Sequence, residues 1–324
     1  QTKQKLQEER TTPFMTENEN IKGLDLAEDY FWEICYPELQ KHFAQWLPRM
    51  AAGLVGEGSE CFGFDDLISR DIPEKDFPLY GKELNTLLSS LPREYHGFPA
   101  RTKSQYGNGR TGLFSIEGFY NKFLSIHHIP DHYSIWLQMD DISLSTATNG
   151  RVFMDNLGEF TKIRKGFLHH YPKDIRLKRI AAECMEIAQS GQYNFSRCVK
   201  RKHYVAAHHA LDAFITHICS FIYLINKTYK PYYKWEHEGL KKLPVLGQFA
   251  FRELQTLSTI SLKDNSDHAV FIIENLCKKC IEYLQKQQLT SSGSDFLLDH
   301  GPEIMKHISN EKLAHSNPWT LTMT

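Results

Sequence analysis

Glycine, serine and acid recur at close spacing in residues 54–71, Leu-Val-Gly-Glu-Gly-Ser-Glu-Cys-Phe-Gly-Phe-Asp-Asp-Leu-Ile-Ser-Arg-Asp. An apolar run, Ala51 to Val55, stops at Gly56-Glu57-Gly58-Ser59, and Ser69-Arg70-Asp71 follows about a dozen residues later. The order is strand, tight turn, acid. Glycines let backbone N–H groups approach an anion closely, and the Ser59 hydroxyl adds a donor. A carboxylate nearby holds Mg²⁺, which bridges phosphate oxygens. A Gly-x-Gly-Ser on its own is as readily a plain turn; the acid at this spacing is what argues for a phosphate-and-metal site.

Gly58-Ser59 followed by Asp71 resembles the opening of the nucleotidyltransferase signature, in which a Gly-Ser turn precedes an Asp-x-Asp or Asp-x-Glu pair on a strand. The whole of Ala51 to Asp71 is similar to a bacterial family, domain of unknown function 4037, whose members look like minimal nucleotidyltransferases with a helical C-terminal domain. The resemblance continues at Thr148-Asn-Gly-Arg-Val-Phe-Met-Asp-Asn-Leu-Gly-Glu-Phe-Thr-Lys-Ile-Arg164 and at Leu224-Ile-Asn-Lys-Thr-Tyr-Lys-Pro-Tyr-Tyr-Lys-Trp235. These segments are spread from residue 51 to 235, and the resemblance extends over most of residues 20 to 260.

The resemblance implies transfer of a nucleoside monophosphate from a nucleoside triphosphate, with ATP the expected donor, to an acceptor hydroxyl. In-line displacement at the α-phosphorus is mostly positioning and charge neutralisation, a task for two Mg²⁺ ions. By the resemblance, Gly58 and Ser59 cradle the phosphates and Asp71 is the first metal-binding acid. Asp155, ending a strand-like run after a turn, is the candidate third acid; a helix N-cap before Leu157-Gly-Glu-Phe is the equal alternative. Lys234 is the candidate for a point charge on the triphosphate. Tyr232, Tyr233 and Trp235 offer stacking surfaces or, for Tyr232 and Trp235, an aromatic corner between helices.

The second acid of the family pattern is missing. Its place, two residues after Asp71, holds Pro73. Proline cannot donate to an interior ladder, and Glu74 and Asp76 lie in a proline-rich segment that suits a loop. Either the strand is deleted, or about ten residues are absent between Asp71 and Ile72. The expectation here is the second, tested by whether the two Cα atoms lie about 3.8 Å apart.

The elements that must hold these groups follow from periodicity. Apolar positions at Leu26, Tyr30, Phe31, Ile34, Leu39, Phe43 and Leu47 suit one or two amphipathic helices, with Pro37 at a start or break. Residues 49–55 and 150–155 read as strands. Residues 82–91 and 114–124 read as helices, and 99–112, with Arg101, Lys103 and Arg110, as a basic surface loop. From Glu159 the pattern is helical, in blocks 159–169, 173–190, 196–227, 237–261, 266–288 and 294–308. The expected class is α+β: residues 1–20 an extension or expression remnant (Met15-Thr-Glu-Asn reads as a natural start), 21–157 a small mixed-sheet nucleotidyltransferase-like domain, and 158–324 an all-α bundle.

Composition bounds the function. With 324 residues, 41% hydrophobic and 24% charged, the chain can bury a sizeable core. A net charge of −1 carries no bulk signal for nucleic acid, though local basic patches are allowed. The longest apolar run, Ala213 to Ile225, is broken by Thr216, His217 and Ser220 and reads as a buried helix, so no membrane association is expected. The polar start, Gln1 to Arg10, does not read as a signal peptide, and an odd number of scattered cysteines argues for reduced thiols; the expected location is the cytoplasm. Cys277-Lys-Lys-Cys280 lacks a second ligand pair and reads as two buried thiols.

Two further readings compete with an active enzyme. One is a catalytically inactive relative that binds a nucleotide or a partner. The other is a helical ribonuclease or toxin-type protein using Arg201 and His208, whose spacing on one expected helix resembles the Arg-x(4–6)-His motif of such ribonucleases. The remaining histidines, such as His127-His128 and His169-His170, read as surface or satisfied polar positions. The acceptor, a small molecule, an RNA or a protein, is not encoded legibly.

Overall fold

The computed structural model describes residues 22–63, 81–99 and 113–321. Asp65, Asp66, Asp71, the Asp71–Ile72 junction and the basic loop of 100–112 lie outside the described residues. The described residues are mostly helical with little sheet, in keeping with α+β, and they divide into two compact units. The first comprises residues up to Phe114 together with Gly150–Leu157; the second comprises Ser115–Asn149 and residues from Gly158 onward. Residues 115–149, assigned from the sequence to the first domain, thus pack with the helical unit.

In the first unit, α1 (Gly23–Tyr30) runs through a π-helical turn, Phe31–Cys35, into α2 (Tyr36–Phe43). Pro37 sits in the first turn of α2, directly after the π-helical turn, where it has no N–H to give to the preceding turn. The buried face of this long helix, Phe31, Cys35, Leu39 and Phe43, forms one core with Leu47, Leu84, Leu91 and Met154. Strand β1 (Ala51–Leu54) is followed by the one-turn helix α3 (Ser59–Phe62), then α4 (Gly81–Ser90) and a hairpin of β2 (Glu94–Tyr95) and β3 (Phe98–Pro99). His96-Gly97, both at positive φ, supply the hairpin turn. Tyr95 ties the hairpin to the first helix by donating to Glu33 Oε2 at 2.5 Å.

In the second unit, α5 (Ile116–Leu124), α6 (Tyr133–Gln138) and α7 (Asp141–Thr148) precede β4 (Arg151–Asp155), which belongs to the first unit. The helical unit resumes with α8 (Glu159–Leu168), α9 (Lys173–Ile187), a π-helical segment Ala188–Phe195 and α10 (Ser196–Lys200). It continues with α11 (Tyr204–Ile225), α12 (Tyr233–Gly239), α13 (Gly247–Thr259), α14 (Ser266–Lys286), α15 (His300–Met305) and α16 (Glu311–Ala314). Helix α9 is central, packed by α11 and α15, with Ile175, Ile180, Cys184 and Ile187 fully buried. Gln192, on the π segment, donates to Glu274 Oε2 (2.7 Å) and accepts from Leu297 N–H (2.8 Å), tying 295–297 to α14. Among the described residues, α11 is the one helix with the length and apolarity to cross a membrane; its residues Ile218 to Ile225 are buried among the unit's other helices.

The sheet of the first unit is small. Among the described residues β1 pairs only with β4, antiparallel, in a two-stranded ribbon, with Ala51 opposite Asp155 and Leu54 opposite Arg151. The strand expected after the Gly-Ser turn falls within residues 64–80, outside the described residues.

Candidate phosphate turn and a buried polar cluster

Gly56 and Gly58 both stand at positive φ, 100° and 140°, at the end of β1. A side chain is strained there, and at Gly58 a Cβ would come within 2.4 Å of Glu60 Oε1. Glu60 therefore folds back over the glycine, buried next to Ser59, whose Oγ donates to Glu60 Oε2 at 3.4 Å. Gly63, left-handed, closes α3 by returning its N–H to Glu60 O. Gly150 N–H donates to Cys61 O at 2.7 Å, which fixes the turn to the start of β4. Next to Gly150, Arg151 is engaged by Asp25 (2.9 Å) and Glu28 (2.5 Å) from α1.

The structure brings Gly58 and Ser59 together and sets Asp155 apart. The antiparallel register puts Asp155 beside Ala51, at the opposite end of the ribbon from the turn, roughly 10 Å along the strand. Asp155 thus lies at the far end of the ribbon from Gly58 and Ser59, and its expected convergence with Asp71 falls on residues outside the described part of the chain. Asp155 is not the helix cap either: Gly158 holds that position for α8. Glu60 is the acid at the turn, and its signal in the sequence is only its place directly after Gly-Ser. Oxygen donors from Glu60 and Ser59 suit Mg²⁺ in kind, but among the described residues no three acids, histidines or cysteines converge as a metal site.

Lys234 belongs to the second unit, where it is exposed with its ammonium 4.3 Å from the Trp235 ring centre. Tyr232 and Tyr233 are exposed beside it, and Tyr232 meets the half-buried Trp235 ring edge-on at 6.4 Å. The lysine that is drawn inward is Lys230, paired with Glu236 at 3.1 Å. It belongs to a buried polar cluster that the sequence reading missed. Asp141, on α7, accepts from Tyr171 Oη at 2.7 Å. Burial pushes its carboxyl up, against the opposing charges of Arg179 and Lys230. Arg179, on α9, lies 4.3 Å from the Tyr171 ring centre and donates to the carbonyls of Leu137 (3.3 Å) and Met139. His217, on α11, meets Glu183 at 2.8 Å and Glu186 at 3.9 Å. Buried His170 stacks on Tyr229 at 4.6 Å; burial, with Arg176 nearby, pulls it down to about 3 and keeps it neutral.

Arg201 and His208 do not share a helix. Arg201 ends α10, and Lys202, at φ 56°, breaks the chain direction before α11 begins. Cys277 and Cys280 are buried as expected, and burial raises both thiols well above their ordinary range.

Residues 136–236 match a family described as a domain of unknown function (DUF4037). The matched stretch runs from α6 into α12 and contains every member of the buried polar cluster, together with β4. No match was found among curated proteins or among solved structures.

Proposed function

We propose that the chain is a nucleotidyltransferase-like protein that binds a nucleoside triphosphate, ATP for preference, at the Gly56–Ser59 turn and transfers its nucleoside monophosphate to an acceptor hydroxyl. The observation that carries this reading is the turn itself: two glycines at positive φ at a strand end, a buried serine and a buried acid within five residues, held to β4 by Gly150. In this reading the glycine backbone and Ser59 orient the phosphates. Glu60 and Asp71 supply carboxylates for Mg²⁺, which when bound neutralises phosphate charge. Without the metal, Glu60 would repel a triphosphate, so binding should require the divalent ion.

The test is calorimetric binding of the four triphosphates with and without Mg²⁺, followed by pyrophosphate release in the presence of candidate acceptors. Mg²⁺-dependent binding that Ser59→Ala weakens, with turnover that Asp71→Ala abolishes in a folded protein, supports the proposal. Binding without any pyrophosphate release moves the protein to the inactive nucleotide-binding relative. Absence of triphosphate binding overturns the reading.

A further inference from the structure

Between Glu186 and Asp212 the chain carries no acid, yet it holds Arg197, Lys200, Arg201, Lys202, His203, His208 and His209. In a protein of net charge −1 this is a strong local asymmetry. The segment spans the π-helical stretch, α10 and the start of α11, all within the helical unit. Arg197, Lys200, Arg201 and Lys202 are exposed. The left-handed backbone at Lys202 leads from α10 into α11, and an open depression of about 1060 Å³ is lined by Lys202, His203 and His209, by Asn194 and Gln189 of the π-helical segment, and by alanines of α11. Glu186 is the one acid on its wall.

Aromatic and apolar groups accompany the charge. Tyr193 is 45% exposed, and the Arg197 guanidinium lies 4.6 Å from its ring centre and donates to its hydroxyl. Tyr204 lines the depression, and Val205, also lining it, is 75% exposed. Lys202 within the depression, further exposed cations and the Tyr193 ring on the adjoining segment 193–201, and amide side chains in the wall are components that hold a flexible polyanion with planar bases. A membrane surface would use the charge but has no use for a concave wall bearing amides and imidazoles.

We propose that the 193–209 face of the helical unit binds single-stranded nucleic acid, phosphates on the cations of residues 197–202 and bases against Tyr193 and within the depression. This goes beyond nucleotidyl transfer and does not depend on it: binding here requires neither a triphosphate nor Mg²⁺.

The experiment is fluorescence anisotropy with labelled 12-nucleotide RNA and DNA strands, without triphosphate or divalent ion, across a salt series. Four phosphate contacts predict a log–log salt slope of about −3, and Lys200→Ala with Lys202→Ala should halve it and weaken binding about tenfold at moderate salt. Tyr193→Ala should weaken binding about fivefold or more, whereas Tyr193→Phe should retain it, because a phenyl ring still stacks. Circular dichroism checks that each variant is folded. Preference for RNA over DNA assigns the ligand to RNA; equal binding assigns it to either strand. Absence of binding at low salt, binding indifferent to these substitutions, or binding only to vesicles of anionic lipid overturns the proposal.

Discussion

Lys230 Nζ lies 3.1 Å from Glu236 Oε2, with the two side chains 12% and 11% exposed. Lys230 also reaches toward the Thr216 carbonyl at 3.5 Å, so the pair joins the segment after α11 to α12 and to the body of α11. Breaking such a pair from one side leaves a charge in a poorly hydrated place, whereas removing both leaves none.

Lys230→Met or Glu236→Leu alone should therefore lower stability by about 3 kcal/mol or more, while the double replacement should cost less than either single change. Urea denaturation of the four proteins in one cycle measures this. Equal and additive losses would show that the two charges do not interact.

His217 gives a pH dependence of defined sign. Burial pulls its pKa down, but the hydrogen bond and charge of Glu183, with Glu186 behind, outweigh this and leave it raised. A raised pKa contributes stability that is fully present below the unfolded value, about 6.5, and is lost as pH climbs through the folded value. Thermal melts should fall from pH 6 toward pH 8.5 in the native protein, and less so in His217→Gln. An identical slope in the variant would remove His217 from the account.

Gly150 should not tolerate a side chain. It stands at φ 68°, and a Cβ would lie 2.0 Å from the Leu54 carbonyl oxygen. Gly150→Ala should cost about 1–3 kcal/mol for the backbone alone, and more from the collision with β1. Gly293→Ala, where nothing lies within 4 Å of the new Cβ, should change stability by no more than about 0.5 kcal/mol. Equal effects of the two substitutions would contradict the β1–β4 pairing.

Of the seven cysteines only Cys198 is not buried. Thiol titration of the native protein should label Cys198 first, with Cys277 and Cys280 reacting only after denaturation. Early reaction at Cys277 or Cys280 would mean that α14 is less closely packed than described.

The sequence revealed those features that arise from repeated short-range pattern. The apolar runs at 51–55 and 150–155 became strands, and the long periodic blocks after Glu159 became helices, because burial on one face leaves a period that can be read. Helices α6 and α7 were missed. They are short, and α7 is rich in Ser and Thr; it is set by Asp140, which caps Ser143 N–H at 2.8 Å, and by packing. The strand register was invisible as well, so Asp155 was expected near the Gly-Ser turn rather than opposite Ala51. Lys234 was expected to be functional and Lys230 was passed over, although only three residues separate them. Their difference is burial, which depends on α11 and α12 folding together, not on the residue type. The resemblance-based expectation for Asp71 concerns residues outside the described part of the chain.

The pairing of β1 with β4 has a consequence for the order in which the protein is made. β1 is synthesised about a hundred residues before its partner, and the chain between them includes three helices that pack with the other unit. The usual N-terminal-first order of domain assembly cannot apply. While the chain grows, the edge of β1 that will meet β4 is a template without its complement, open to capture by another strand. A nascent chain stalled before residue 150 should be the form most prone to aggregation and to chaperone binding, and release past Asp155 should end that vulnerability.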